Sequence, residues 1–277
     1  GYENTASGSS ALYANTTGYQ NTASGSVALV RNTTGDNNTA SGYAALYYNT
    51  TGNNNTATGY AALYNNNGGN YNTANGREAL FSNTLGYGNT ASGRLALYSN
   101  ITGQYNTASG YQALDSNTTG TGNTAIGMAA DVAAGDLINA TAIGYLATVD
   151  ASNKVRIGNT GVTAIEGQVA FTISSDRRLK SDIEPVVDGL AIVNDLNPVS
   201  YKRIGNDSTE LGLLAQDVAA VLAEHGFDDS DMVNTSGEYM GVRYNDLLPL
   251  LIKAVQQQQE QIAELRRMVE DRQVAAR

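Results

Sequence analysis

Ser175 and Lys180 stand at a spacing suited to covalent chemistry. A serine hydroxyl is a poor nucleophile until a base takes its proton. No histidine lies near Ser175-Asp176-Arg177-Arg178-Leu179-Lys180, but Lys180 is five residues on and can fold back. Lysine acts as a base only when unprotonated, a form favoured by burial and by neighbouring cations. Arg177 and Arg178 supply such cations. The chemistry this allows is attack of Ser175 Oγ on a peptide carbonyl next to itself, with Lys180 as general base, followed by hydrolysis of the ester. Asp176 would orient Lys180 or strain the turn. Either side of Ser175, and attack within or between chains, fits this spacing. The competing reading is that Ser-Asp caps a helix beginning near Arg177. Ser174 reads as a polar linker residue. His225, in Glu224-His225-Gly226, reads as a helix end, where a cation favours the dipole.

The elements that must position this pair lie on a chain of two halves. Residues 1–174 hold no proline and 13 charged residues; residues 175–277 hold Pro185, Pro198, Pro249 and 29 charges. Net charge is −3 in the first part and −7 in the second, within a total of −10. Four segments follow: a repeat fibre over 1–150, a transition over 151–174, an autoprotease domain over 175–246 and a C-terminal helix over 247–277. An acidic chain without a basic stripe argues against nucleic acid as partner. No apolar run of about 18 residues exists, so membrane insertion is not expected. With no cysteine and one histidine, neither a metal nor another cofactor is expected. The chain begins inside a repeat, which reads as a piece of a longer protein.

The repeat is strict. Asn-Thr-Ala recurs every 17 residues from Asn4 to Asn123, with Gly8 to Gly127 and Leu12 to Leu114 on the same step. Such a register means one structural rung stacked on the next. In the first rung the expected extended pieces are Asn4–Ser7 and Ser10–Tyr13, punctuated by Gly8, with Asn15-Thr16-Thr17-Gly18 as the closing turn. Helix is disfavoured by the glycine and asparagine density. The fold class expected is therefore mainly β: a parallel β-roll or β-solenoid rod, then a small α/β domain ending in a coiled coil. One Leu, one aromatic (Tyr13, Tyr47, Tyr64, Phe81, Tyr98) and a few Ala make a thin core against the entropy of ordering each rung. Sharing that core among three chains, with Ala at a common axis, predicts a homotrimer. Exposed Tyr19, Tyr43, Tyr60 and Tyr87 either stack on sugar rings or pack between chains. Thr rows also raise an ice-binding reading, though with one Thr per strand.

Two family resemblances sit on these residues. Asn123–Gly127 and Ala140–Gly144, ending in Ala-Ile-Gly, resemble the head repeats of trimeric autotransporter adhesins, which implies a trimeric parallel β-roll. The stretch Ser175–Lys180 followed by Ile183 resembles the autoprocessing motif of the C-terminal intramolecular chaperones of phage tailspikes and tail fibres, the endosialidase type. Asn197–Tyr201, Leu211–Val218 and Gly241–Leu251 match that module's later segments in order. The resemblance implies a single-turnover Ser/Lys self-cleaving peptidase with no external substrate, and it puts the cut at Ser175, first of all between Ser175 and Asp176. It also implies a place in a virion tail fibre, with a host-surface receptor, glycan among the candidates, as partner. A trimeric bacterial surface adhesin with the same chaperone is the alternative.

Leu248, Leu251, Val255, Gln258, Ile262, Leu265 and Val269 follow alternating steps of three and four. That is a heptad seam and predicts a trimeric coiled coil, with a polar layer at Gln258. A lone surface helix is the bland alternative. Identical rungs slip register at little cost, so a clamp at the tail would align three copies before the rod zips. Its release would leave the rod trapped by its own unfolding barrier.

Overall fold

The computed structural model describes residues 1–169, 172–204 and 207–276. They form two units, Gly1–Glu166 and Gly167–Arg277.

The first unit is a parallel β-solenoid. Each rung gives one three-residue strand, from Thr5–Ser7 and Thr22–Ser24 to Thr141–Ile143 and Val155–Ile157. Ten such strands lie in chain order in one sheet. Equivalent residues pair, Thr5 with Thr22, Ala6 with Ala23, Ser7 with Ser24. Alternation along a strand turns Thr and Ser outward and Ala inward; Ala23, Ala40, Ala57, Ala74, Ala91 and Ala108 are buried. The leucine column from Leu29 to Leu114 is fully buried with them.

Two asparagine columns close the rungs. Asn21 donates from its backbone N–H and its Nδ2 to Asn4 Oδ1, at 2.9 and 3.2 Å, and Nδ2 also reaches Gly35 O at 2.8 Å. Asn32 Nδ2 donates to Asn15 Oδ1 and to the same Gly35 O. Every later rung repeats this clasp to Asn106 and Asn117. A buried amide is tolerated only when bonded, and among the described residues no buried side-chain polar atom lacks a partner. The columns end where positions 134 and 140 are alanine. There Asn123 Nδ2 turns to Asn117 Oδ1 and joins the two ladders.

Four expectations are corrected. Ser10–Tyr13 is a turn: Ser10 and Leu12 have φ of 57° and 53°, in the left-handed region, and so do their equivalents up the rod. The chain reverses there while still bonding rung to rung, as in Leu12 N–H to Ala28 O. The aromatic column is not core. Tyr47, Tyr64, Phe81 and Tyr98 form a half-buried ring stack on the surface, with centroids 5.0–5.2 Å apart, and Tyr13 is 82% exposed. The alanines do not line an axis between chains, because Leu and Ala close a complete interior within one chain. Finally, the sheet runs past residue 150 to Val155–Ile157, with the last step shortened from 17 to 14 residues, Thr141 pairing with Val155.

The glycine after each strand is required by close approach. A Cβ on Gly59 (φ 129°) would sit 2.6 Å from Gly76 O.

The second unit is small. Helix α1 (Gly189–Asp195) leads to an antiparallel pair, Val199–Lys202 with Thr209–Gly212. Helix α2 (Ala215–Glu224) follows, then a two-residue pair, Val233–Asn234 with Gly241–Val242, and helix α3 (Leu247–Ala275). Its core is Ile192, Val218, Leu222, Met232 and Leu250. Gly189 lets α1 approach α3; a Cβ there would meet Lys253 Cβ at 2.7 Å.

Candidate functional site

The segment around Ser175 makes a short reversal. Asp176 is extended, Arg177–Leu179 form one 3-10 turn, and Lys180 is extended again. Leu179 N–H bonds Asp176 O and Lys180 N–H bonds Arg177 O. This turn carries Lys180 back over Ser175, and Lys180 Nζ lies 2.7 Å from Ser175 Oγ. The pair is thus brought together by local backbone geometry alone, and both residues are exposed.

Asp176 is engaged elsewhere. Its Oδ1 accepts from Arg178 N–H at 2.9 Å, capping the turn, and its Oδ2 accepts from Arg178 Nη2 at 2.7 Å. These bonds from Arg178 hold the Asp176 carboxyl below its ordinary value and raise the guanidinium in turn. The cap is therefore Asp176 on a 3-10 turn, in place of a Ser-Asp cap on a longer helix. Of the two expected cations, Arg178 is neutralised by Asp176 while Arg177 has no ion pair among the described residues. Ser174 is exposed. His225 ends α2, where its Nε2 meets Asp195 Oδ2 at 2.8 Å. It takes no part in the Ser175–Lys180 contact.

The heptad residues lie on one helix and point away from their own unit. Leu248, Leu251, Val255, Ile262, Leu265 and Val269 are 43–64% exposed, and Gln258 is exposed among them. A different face, Leu247, Leu250 and Ala254, packs inward. Sequence reading missed what this inner face does next. Gln257 Oε1 accepts from Leu190 N–H and its Nε2 donates to Val187 O. It thereby caps α1, which has no side-chain cap of its own. Tyr244 was also missed: its hydroxyl accepts from Leu213 N–H at 2.8 Å, tying the hairpin to the approach to α3. A glutamine within a glutamine run and a tyrosine before a helix carry no pattern that would single them out.

Residues 175–227 match the family model Peptidase_S74, chaperone of endosialidase. No curated protein matches the chain. The match begins at Ser175 and spans the 3-10 turn, α1, the first hairpin and α2. It is to this chaperone family that the C-terminal unit is similar, and the family fits an intramolecular chaperone role for it. Among the described residues no cluster of three or more His, Cys, Asp or Glu could hold a metal, and no helix is long and apolar enough to cross a membrane.

On the rod, Tyr43 stacks on Tyr60 at 5.3 Å, Tyr19 on Tyr2 at 5.0 Å, and Tyr87 meets Tyr105 edge-on at 4.9 Å. Beside the main ring stack runs a shallow groove of about 420 Å³, lined by Tyr48, Thr50, Asn65, Asn67, Ser82 and Thr84.

Proposed function

We propose that the C-terminal unit is an intramolecular chaperone that aligns three copies of this chain through the outer seam of α3 and then releases itself at Ser175. The rod would be the distal part of a phage tail fibre that meets a host-cell surface. The observation that carries this reading is the Lys180–Ser175 contact at the first residue of the chaperone-family match.

The chemistry follows from that contact. Unprotonated Lys180 takes the Ser175 Oγ proton as Oγ bonds to the neighbouring carbonyl carbon. The peptide C–N bond breaks and the leaving amine takes the proton from Lys180. Water then hydrolyses the ester, leaving a carboxylate and a free Ser175 hydroxyl. Nucleophile and base are both exposed in the single chain, whereas a lysine base needs desolvation or nearby positive charge. Assembly supplies that burial, so cleavage waits for the copies to align. The exposed α3 seam is an apolar stripe of the width that coiled coils bury. The groove at Tyr48, with its amides, hydroxyls and adjoining rings, has the chemistry that holds a sugar.

The test is the mass of the denatured chain. The unaltered protein should release a C-terminal fragment of about 100 residues that begins at Ser175 or at Asp176, according to which peptide bond is cut. Ser175→Ala and Lys180→Ala should each stay at 29.0 kDa and still assemble. Release of the same fragment by both variants would refute the mechanism.

A further inference from the structure

Charge is nearly absent from the middle of the rod, and where it occurs it is gathered in one place. Between Asp36 and Asp115 the charged residues are Arg77, Glu78 and Arg94. Arg77 and Arg94 are 17 residues apart, so they take the same position on consecutive rungs. The column they share runs Tyr43, Tyr60, Arg77, Arg94, Tyr111, and all five are exposed. The Arg77 guanidinium carbon lies 5.4 Å from the centre of the Tyr60 ring, and that of Arg94 lies 5.5 Å from the centre of the Tyr111 ring. Each arginine therefore has a ring in the rung on one side and the other arginine in the rung on the opposite side.

This arrangement fills no interior, and it carries a Coulomb cost. Like charges in register on neighbouring rungs repel. One acid serves the pair: Glu78 Oε1 meets Arg77 Nη2 at 3.3 Å. The position of Glu78 in the next rung is Leu95, and Arg94 has no ion pair among the described residues. The flanking rings hold both guanidinium planes by cation–π contact. Two oriented forks with one acid between them call for a further oxyanion, since the arginine fork pairs bidentately with carboxylate and phosphate. The exposed strand ends Thr58, Asn75, Ser92 and Ser109 stand two residues before Tyr60, Arg77, Arg94 and Tyr111, and add hydroxyls and an amide.

We propose that Arg77 and Arg94 bind the acidic group, carboxylate or phosphate, of a surface polysaccharide, with the neighbouring Tyr, Ser and Asn side chains taking its sugar hydroxyls. The inference deepens the reading that the rod meets a cell surface and rests on it. The site lies on a different column from the groove at Tyr48. Nucleic acid is a poor occupant, because its backbone demands many basic contacts and the chain has a net charge of −10. An acidic peptide asks for an apolar centre to its interface. This column instead presents ring edges and hydroxyls, since Tyr43 and Tyr60 stack face to face at an interplanar angle of 12°.

The test applies full-length protein to a printed array of bacterial surface polysaccharides, neutral and acidic. The unaltered protein should be retained on acidic spots. Arg94→Gln should weaken that retention at least about tenfold, and Arg77→Gln with Arg94→Gln should abolish it. Arg94→Lys restores the charge without the fork and should recover only part. Arg31→Gln removes the same charge from another column and should leave retention unchanged. These side chains are exposed, so the rod's thermal midpoint should hold in every variant. Displacement by soluble polygalacturonate identifies a carboxylate, and displacement by phosphomannan a phosphate; equal displacement by neutral mannan overturns the proposal. Acidic spots held equally by the double variant, or retention on neutral spots alone, sink this site and leave the cell-surface reading standing. Retention on no spot at all sinks both.

Discussion

The rod and the C-terminal unit handle their apolar residues in opposite ways. In the rod, Leu, Ala and Asn are buried by the next rung of the same chain, and the outward strand positions are mostly hydroxyls. In the C-terminal unit a five-residue core is closed, yet α3 leaves a row of Leu, Ile and Val in solvent along its length. A repeat makes every rung the partner of its neighbour, so one chain suffices to complete the interior. A single helix has no such neighbour. The assembly proposed above would therefore draw on the exposed seam of α3, not on a thin interior along the whole rod.

The largest effect should come from breaking that self-sufficiency in mid-rod. Asn72 Oδ1 accepts from Asn89 N–H and Nδ2, and Asn72 Nδ2 donates to Gly86 O. Asn72→Ala orphans the buried Asn89 N–H and removes the amide bonds, at a cost of about 3–5 kcal/mol. Chemical denaturation should show the loss in the rod's transition and leave that of the C-terminal unit unmoved. A loss below about 1 kcal/mol would mean that the ladder orders the rungs without stabilising them.

Next in size is the reverse experiment on the tail. Leu251→Asp with Ile262→Asp places charge on the outer seam, which lies outside the unit's core. Association should weaken by about 2–4 kcal/mol, read by sedimentation, while the unit's own stability falls by less than about 1 kcal/mol. Leu250→Ala, on the inner face, should do the opposite, costing about 2–4 kcal/mol of unit stability. Equal behaviour of the two faces would erase the contrast between them.

The same contrast explains what was legible in the sequence. The 17-residue register gave the parallel solenoid and its columns, because each rung must offer the next the same groups at the same place. The five-residue step from Ser175 to Lys180 was legible because one turn suffices to close it. The direction of the Ala columns was not. Alternation places Ala on one face, but only the coil's closure decides whether that face looks inward or at another chain. Nor was the turn at Ser10–Tyr13 readable, since left-handed Leu12 is a conformation that leucine's own preferences argue against. The repeated hydrogen bonds between rungs outweigh that preference. Asp176, expected to orient Lys180 or strain the turn, is found on Arg178, because a two-residue contact with a bidentate donor outcompetes a longer reach.

The smallest expected effect lies where the leucine column stops. The position after Leu114 on the 17-residue step is Asp131. It is half-buried and accepts from Ser116 N–H and Val132 N–H. Burial raises its carboxyl above the ordinary 3.8 despite those bonds, with a small contribution from Asp115. The folded chain thus holds the proton more tightly than the unfolded one. Stability falls as pH rises from that ordinary value through the raised one, and stays lower above it. Asp131→Asn keeps the acceptor and removes the charge. It should raise the rod's thermal midpoint at neutral pH by up to about 2 °C and flatten its pH profile across that interval. Asp176 in the other unit has the opposite sign: Arg178 lowers its carboxyl, so its cap holds at neutral pH and is lost as pH falls through the lowered value. If the rod's profile were unchanged in Asp131→Asn, the end of the leucine column would be wetter than its burial implies, and the rod's interior would close at Leu114.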